Sequence, residues 1–386
     1  MSIVEQVKGD FPAAERVGYL NTGTVGIVPG PVQEKLFSSF RWFHDQGPAL
    51  PDTRDRLRED LASARTILAD FLGVEEDEVE FTTDTTAGMN AVIGSLPLNE
   101  GDEVVVSDIE HYVGRVPWQY LADTHGIKIV VAESRGGTIC GEDIEKAITS
   151  RTRVISLSHV SFSTGGRFDI TGIGQLAEQQ DIFLLVDAAQ SVGALDLQLH
   201  DLNCDALSFP GYKWCLGPKG SGGLYINPRA WDKLRPPTVA MGGVESADLN
   251  GNYRLTEGPR MFAPSSRGYL DTMGLAFSLQ YLNDLGMKKV QSRIKHLTTK
   301  FVAKVSKLDA VQLVTPTSFD QRAGLISFTL KNTGDAEKMR DLTHSFLRQG
   351  IHIRVIPRPL CFRASFHLYN SETDVDNLVE LLREAT

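Results

Sequence analysis

Cysteine is scarce in this chain of 386 residues, and its cysteines are widely separated. No C-x-x-C spacing occurs, so the sequence contains neither the paired ligands of a zinc site nor the pattern of a disulfide framework. We predict no metal site and interpret the cysteines as small buried apolar residues. The four are Cys140, Cys204, Cys215 and Cys361, and we retain only Cys361 as a candidate nucleophile.

The chain also lacks long apolar runs and an excess of positive charge. No window approaches the ~18 uncharged apolar residues of a membrane-spanning helix. The first residues, MSIVEQVKGDFPAAERV, carry charges where a secretory signal would be apolar. The net charge is -10, whereas a nucleic acid partner requires a basic face. We therefore expect a cytoplasmic protein that binds neither membranes nor nucleic acid.

What the sequence does contain is an alternation of short β-branched runs with helical stretches, at a length typical of two domains of ~100–200 residues each. Most of the runs are continuously apolar, as in strands that are buried on both faces of a mainly parallel sheet. This pattern predicts an α/β fold. The predicted strands are 103–107, 127–132, 153–158, 182–186, 205–209 and 223–226.

Helical periodicity predicts an amphipathic helix over 55–72 that ends at Gly73, and a long helix from 272 to about 307. Strands follow at 324–330 and 351–355, and a capped helix begins in NSETDVDNLVELL. The change of character near residue 265 divides the chain. We predict an N-terminal segment (1–14), a large domain (15–265) and a smaller α+β domain (266–386).

Polar residues occur at the ends of the predicted strands, where open α/β sheets bind ligands. In FTTDTTAGMNAV, the hydroxyls of Thr85 and Thr86 and a helix N-terminus could bind a phosphate, or the turn could simply cap the helix. In IFLLVDAAQSVG, Asp187 ends an apolar run. A carboxylate there needs a cationic partner, such as a protonated pyridine nitrogen, unless it caps the next helix.

The stretch SFPGYKWCLGPKGSG contains two lysines with different surroundings. Lys213 directly follows a strand between two aromatic residues, and partial desolvation there would lower its pKa and favour Schiff base chemistry. Lys219 lies among glycines and is interpreted as a turn residue. His111, in EHYVGRVPW, could stack on a ring or could be a buried or capping histidine.

Together, a phosphate site, a carboxylate, a flat imidazole and a reactive lysine are the contacts that pyridoxal phosphate requires. Asp187 would keep the pyridine protonated, and Lys213 would bind the aldehyde and then move the Cα proton of the substrate. We therefore predict a pyridoxal phosphate enzyme with a small amino-acid substrate.

The sequence resembles, almost from end to end, the class V aminotransferase-like group of fold type I pyridoxal phosphate enzymes. This group includes cysteine desulfurases, selenocysteine lyases, cystine and cysteine-conjugate carbon-sulfur lyases, and isopenicillin N epimerase-like proteins. The resemblance implies a homodimer with active sites at the interface. It is carried by YLNTGTVGIVP, DTTAGMN, EHYVGRVPW, SHVSFSTG, VDAAQS, GYKWCLGPKGSGGLYI and CFRASFHLYNSETDVDNLVELL.

The resemblance also implies residue roles. The catalytic residues would be Lys213, His111 and Asp187, and the cofactor would be contacted by these three together with Thr85, Thr86, Gln190, Tyr212 and Ser266. Gln190 would contact the phenolic oxygen of the cofactor, and Ser266, in APSSRG, would reach the phosphate of the partner subunit. The substrate would be bound by Arg363 through its carboxylate, with Arg354 and Asn21 as further candidates.

Three departures from the family pattern matter. Pro210 and Tyr212 replace a usual phosphate-binding pair, so the Tyr212 phenol would serve instead. Phe162 replaces an asparagine near the phenolic oxygen, where Ser161 or Ser163 could supply a hydroxyl.

The third departure concerns the reaction. Desulfurases carry a nucleophilic cysteine on a loop. In this sequence the corresponding interval, IHIRVIPRPLCFRAS, is too short for that loop. Cys361 matches a different, structural cysteine of the family. We therefore predict β-elimination from cysteine, cystine or an S-substituted cysteine, in the manner of a C-S lyase, in the biosynthesis of a sulfur-containing metabolite. The alternatives are decarboxylation with oxidative deamination, amino transfer or epimerisation of a cysteine conjugate. Cysteine desulfurase is disfavoured.

Overall fold

The computed structural model describes residues 3–331 and 333–385. Its strands are β1 (Gly18–Tyr19), β2 (Val79–Thr82), β3 (Glu103–Ser107), β4 (Lys128–Ala132), β5 (Thr152–Ser158), β6 (Phe183–Asp187), β7 (Ala206–Pro210), β8 (Gly222–Ile226), β9 (Val244–Ala247), β10 (Tyr253–Leu255), β11 (Val311–Leu313), β12 (Leu325–Leu330), β13 (Ile351–His352), β14 (Arg354–Pro357) and β15 (Leu360–Ser365). Its α-helices are α1 (Ile3–Gln6), α2 (Pro12–Arg16), α3 (Gly30–Asp45), α4 (Pro51–Leu72), α5 (Thr85–Ile93), α6 (Val116–His125), α7 (Gly141–Glu145), α8 (Ile170–Gln179), α9 (Tyr269–Leu285), α10 (Met287–Val305), α11 (Ala336–Arg348) and α12 (Glu372–Glu384).

A seven-stranded sheet in the order β2-β8-β7-β6-β5-β3-β4 forms the centre of the fold. The five strands from β7 to β4 run parallel, and β8 is antiparallel to both of its neighbours. The α/β fold with a mainly parallel sheet is therefore confirmed. Each of the six strands predicted in this sheet lies within one residue of its expected bounds, whereas the short strand β2 was missed.

Both faces of this sheet are covered, which explains the continuously apolar strands. Along β3, Val104 and Val106 join one buried cluster, which includes Trp118 of α6. Val105 points to the opposite face and joins a second cluster with Leu68 of α4. Because successive side chains alternate between the faces, every position of such a strand is apolar.

Two predicted helices are confirmed with changes at their ends. The helix predicted over 55–72 begins earlier, at Pro51, and ends at Gly73, which adopts the left-handed conformation with φ 68°. The last helix is capped by Ser371, whose hydroxyl accepts a hydrogen bond from the Asp374 N–H. The predicted helix 272–307 is wrong as one element: Gly286, with φ 85°, divides it into α9 and α10.

The C-terminal third forms a four-stranded sheet in the order β11-β12-β15-β14. The strand predicted over 351–355 is wrong as one element, because its two halves pair with different partners. Residues Ile351–His352 pair with β1, whereas Arg354–Pro357 pair with β15. The buried Ile353 lies at the point where the chain passes from one pairing to the other.

Segments from the two sides of the predicted domain boundary pack against each other. Strand β1, from the N-terminal region, pairs with β13 near the C-terminus. Helix α9, which follows residue 265, packs against α3 and α4. The division at residue 265 stays a prediction. Among the described residues, no helix has the length and apolar character needed to cross a membrane.

Candidate active site

The loops that follow the parallel strands meet at one edge of the sheet and enclose a cavity, which we call the Lys213 cavity. Strands β3, β5, β6 and β7 lead into His111, Phe162, Gln190 and Lys213, so residues distant in sequence converge there. The cavity brings together seven of the predicted cofactor contacts. Its lining is Asp84, Thr85, Thr86, His111, Val113, Ser158, Val160, Phe162, Asp187, Ala189, Gln190, Tyr212 and Lys213.

Lys213 is the basic group of this cavity. Desolvation lowers the pKa of its amine to about 8, while the charge of Asp187 opposes this shift and that of Arg363 adds to it. A substantial fraction of the amine is therefore neutral and nucleophilic near neutral pH. Lys219 lies in an exposed turn outside the lining of the cavity, as predicted.

A close backbone contact positions the Lys213 loop. The Gly26 N–H donates to the Tyr212 carbonyl at 2.8 Å, and a Cβ on Gly26 would lie 2.1 Å from the Lys213 carbonyl oxygen. Only glycine allows this approach. On the other side, the Trp214 indole N–H donates to the Gln190 side-chain oxygen at 2.8 Å, which orients the Gln190 amide.

Asp187 and His111 are two further polar groups of the Lys213 cavity. Asp187 is buried and accepts a hydrogen bond from the Ala189 N–H at 2.9 Å. Burial raises its pKa, and the nearby Lys213 lowers it. The pKa of His111 is lowered to about 4 by burial and by the cations Lys213 and Arg363. The imidazole is therefore neutral, and it meets the Phe162 ring edge to face at 4.8 Å.

The N-terminus of α5 forms another wall. Asp84 caps this helix by accepting the Ala87 N–H at 2.8 Å, and the first helical N–H groups have no acceptor within the helix. Together with the hydroxyls of Thr85 and Thr86 and the Tyr212 phenol, these donors suit a phosphate. Sequence reasoning missed Asp84 as a lining residue, although its position before the helix was a usable signal.

The serines of the SHVSFSTG segment lie elsewhere than expected. Ser161 and Ser163 are fully buried and contact each other, with 3.1 Å between their hydroxyl oxygens, and neither lines the Lys213 cavity. The expectation that one of them supplies a hydroxyl there is wrong. Ser158, at the end of β5, lines the cavity instead, and its hydroxyl hydrogen bonds the buried Glu110. Sequence reasoning singled out neither residue.

Two arginines lie close to this cavity without lining it. Arg363 is buried and donates to the Phe162 carbonyl at 2.7 Å and to the Thr24 hydroxyl at 3.0 Å. Arg354, opposite it on β14, donates to the same hydroxyl at 3.1 Å. Burial and the charge of Arg354 lower the pKa of Arg363 to about 9. Neither has an acidic partner among the described residues, so an anionic ligand would supply the missing charge.

The remaining predicted residues also lie outside the Lys213 cavity. Asn21 accepts a hydrogen bond from the Thr24 hydroxyl at 2.7 Å and lies 3.0 Å from the His352 ring nitrogen. It thereby joins the group around the two arginines. Ser266 lines a different cavity beside Thr82 and Thr83. The roles of all these residues toward ligands stay predictions.

The arrangement matches pyridoxal phosphate in its chemistry. A buried carboxylate suits a pyridinium nitrogen, a neutral imidazole suits the face of a ring, and a helix N-terminus with hydroxyls suits a phosphate. Lys213 supplies an amine with a lowered pKa for an aldehyde. These groups line one cavity, so the residues present fit this cofactor.

Comparison with known proteins agrees with this class of site. The family model for aminotransferase class-V matches residues 43–378, so the chain belongs to this family. The protein is a pyridoxal phosphate enzyme, and the predicted family, fold and cofactor are confirmed. A solved C-DES mutant with glycine linked to its PLP cofactor has a TM-score of 0.91 and 25% identity, covering 97% of this chain and 98% of that one.

Two curated relatives are probable cysteine desulfurases. That of Pyrococcus abyssi is 29% identical and covers 100% of this chain and 98% of the relative. That of Methanothermobacter thermautotrophicus is 30% identical and covers 98% of this chain and 97% of the relative. Among solved structures, the apo cysteine desulfurase of Thermococcus onnurineus NA1 has a TM-score of 0.90 at 27% identity. The match covers 100% of this chain and 98% of that one. The cystine C-S lyase C-DES, solved with its product cysteine persulfide, has a TM-score of 0.89 at 26% identity. The match covers 96% of this chain and 98% of that one.

Proposed function

We propose that this protein is a carbon-sulfur lyase that cleaves the Cβ–S bond of cysteine, cystine or an S-substituted cysteine by β-elimination. The observation that carries the proposal is a reactive amine without an accessible thiol beside it. Cys361, two residues from Arg363, is fully buried, and burial raises its pKa to about 11. Such a thiol is poorly suited to accept sulfur.

The other cysteines agree with this proposal. Cys204 and Cys215 are buried, and burial raises the pKa of both thiols. Cys140 precedes α7, contacts Asp143 and does not line the Lys213 cavity. The connection between β14 and β15 is also short, because Pro357 already pairs with Leu360. No described segment there is long enough to carry a nucleophile into the cavity.

The proposed roles follow from the geometry. Arg363 and Arg354 would bind the carboxylate of the substrate, and the neutral amine of Lys213 would accept its Cα proton. When bound, the cofactor withdraws electrons from this carbon. The sulfur leaves with the electron pair of the Cβ–S bond and takes a proton to give a thiol. The remaining three-carbon product reacts with water to give pyruvate and ammonium.

The names of the curated relatives favour a second candidate, cysteine desulfurase. In that reaction a protein cysteine accepts the sulfur, and alanine is the product. Cys361 is the cysteine placed nearest in sequence to the arginine pair, so it is the residue to test. The structural likeness to C-DES, a cystine C-S lyase, is matched by the likeness to the cysteine desulfurase of Thermococcus onnurineus NA1, so the buried thiols carry the choice between the candidates.

One experiment separates the candidates. Protein reconstituted with pyridoxal phosphate is given cysteine, cystine and S-benzylcysteine, and the products are identified by mass spectrometry. We expect pyruvate, ammonium and a thiol or persulfide, with Cys361→Ser as active as the wild type. Alanine formation that Cys361→Ser abolishes would instead establish a desulfurase. A product that retains sulfur but has lost its amine or carboxyl carbon, or has an inverted Cα, would refute both.

We also propose a homodimer in which Ser266 completes the phosphate site of the partner subunit. This is supported by the position of Ser266, which lies outside the Lys213 cavity of its own chain. Sedimentation should show a dimer, and Ser266→Ala should weaken cofactor binding by about tenfold, as expected for one lost hydrogen bond to a charged group. A monomer, or unchanged cofactor affinity, would contradict this proposal.

A further inference from the structure

A larger cavity adjoins the Lys213 cavity, and we call it the Trp118 cavity. Its volume is about 520 Å³, within the range of ligand pockets. Phe162 lines both cavities and therefore stands between them. Pro357 and Arg358, at the tip of the β14–β15 hairpin, also line the cavity.

One side of the Trp118 cavity is apolar. Val106 of β3, Ile129 and Val131 of β4 and Trp118 of α6 line it together with Phe162. This wall suits an aliphatic or aromatic group, because its burial removes apolar surface from water. Trp118 is fully buried, and its indole N–H has no hydrogen-bond partner among the described residues. The indole nitrogen itself is inaccessible, so Trp118 contributes apolar ring surface to this wall.

Charged groups of both signs line the Trp118 cavity. Asp108 accepts hydrogen bonds from Ser134, and the buried Glu110 accepts them from Ser107 and Ser158, so these neutral donors occupy part of the hydrogen-bonding capacity of both carboxyl groups. In contrast, the exposed side chains of Arg115 and Arg358 make no hydrogen bond or ion pair with the described residues. An acceptor with negative charge is the complement of these two guanidinium groups.

The Trp118 cavity also adjoins the groups that are proposed to bind the substrate. The proposed carboxylate-binding residue Arg363 donates to the Phe162 carbonyl at 2.7 Å, and the Phe162 ring contacts His111. A substrate held between Arg363 and Lys213 thus has Phe162 as its neighbour. A substituent on its sulfur would extend past this ring into the adjoining space.

We propose that the Trp118 cavity binds the sulfur substituent of the substrate, and that this substituent is an aliphatic or aromatic group ending in a carboxylate. This proposal rests on the proposed lyase function. The apolar wall would hold the body of the substituent, and Arg115 and Arg358 would bind its acidic end. Cysteine itself carries only hydrogen on sulfur and would leave the cavity unused.

A matched pair of substrates tests the proposal. S-benzylcysteine and S-(4-carboxybenzyl)cysteine differ only in the acidic group. We expect kcat/KM to be about tenfold higher for the carboxylated conjugate, from charge-assisted hydrogen bonds. In the double variant Arg115→Gln/Arg358→Gln this ratio should fall to near one. Arg41→Gln, which removes an exposed arginine of α3 outside the Trp118 cavity, is the control and should keep the ratio.

Binding without turnover separates the two proposals. An analogue of the carboxylated conjugate with a methylene in place of sulfur cannot be cleaved, and its affinity can be measured by calorimetry. We expect about tenfold weaker binding to the double variant than to the wild type. Binding of this kind without pyruvate release from either conjugate would refute the lyase and support the cavity assignment. Turnover of both conjugates with equal kcat/KM, and equal analogue affinity in the double variant, would overturn the assignment and leave the lyase standing.

Discussion

The substitution Glu110→Gln should make the stability of the protein less dependent on pH between pH 5 and pH 8. Glu110 is buried in the loop after β3, where it accepts hydrogen bonds from the Ser107 hydroxyl and from the hydroxyl and N–H of Ser158. Burial, aided by the charge of Asp187, raises the pKa of this carboxyl from 4.5 to about 7 despite these bonds. Between these two pH values, the folded protein therefore holds a proton that the unfolded chain releases.

The sign and size of the effect follow from proton linkage. The neutral Glu110 stabilises the fold fully below pH 4.5, and this contribution is lost as the pH rises to about 7. At about 1.4 kcal/mol for each pH unit between the two values, the loss is about 3 kcal/mol in all. A glutamine keeps an acceptor for the Ser158 N–H and does not titrate. From pH 5 to pH 8, the free energy of unfolding should therefore shift by about 2–3 kcal/mol in favour of the variant.

Urea denaturation of the cofactor-free protein, followed by tryptophan fluorescence at pH 5, 6, 7 and 8, measures this difference. Glu133→Gln removes an exposed glutamate from the loop after β4 and serves as the matched control. The control should follow the wild type at every pH. Parallel pH profiles for Glu110→Gln and the wild type would show that Glu110 is charged in the folded protein, and would refute the reasoning.

Two further predictions concern the Lys213 loop. Because the pKa of Lys213 is about 8, the rate constant for pyridoxal phosphate capture by the cofactor-free protein should rise with pH and level off above about pH 8, as followed by stopped-flow absorbance. Borohydride reduction and peptide mass analysis should then locate the cofactor on Lys213, and a pH-independent rate or a label on Lys219 would contradict this. Gly26→Ala should weaken cofactor binding and lower stability by about 1–3 kcal/mol through its clash with the Lys213 carbonyl. Gly141→Ala, whose added Cβ meets no atom within 4 Å, should change neither property, and thermal unfolding with and without cofactor compares the two variants.

The sequence by itself determined six of the seven strands of the central sheet and seven of the residues that line the Lys213 cavity. Strands that are buried on both faces must be apolar at every position, so their bounds were readable to within one residue. Polar residues directly after such strands must converge at one edge of the sheet, because parallel strands place their carboxyl ends together. This is why the sequence alone was enough to assign Asp187, His111 and Lys213 to one site.

Tertiary contacts alone decided the rest. Helical periodicity continues across Gly286, and a glycine inside such a pattern does not by itself end a helix; here its positive φ of 85° ends α9. The split of 351–355 depends on two partners far away in the sequence, β1 and β15.

The contacts around the site residues could not be predicted from the sequence either. Arg354 and Arg363 face each other through strand register and share Thr24, which lies more than 300 residues away. Phe162 separates two cavities because β5, the Arg363 strand and the loop of His111 meet there. The sequence determined the class of the site, a pyridoxal phosphate site, because its residues follow apolar strands in a readable order. The Trp118 cavity beside this site is formed by contacts between distant segments, so only the tertiary structure could reveal it.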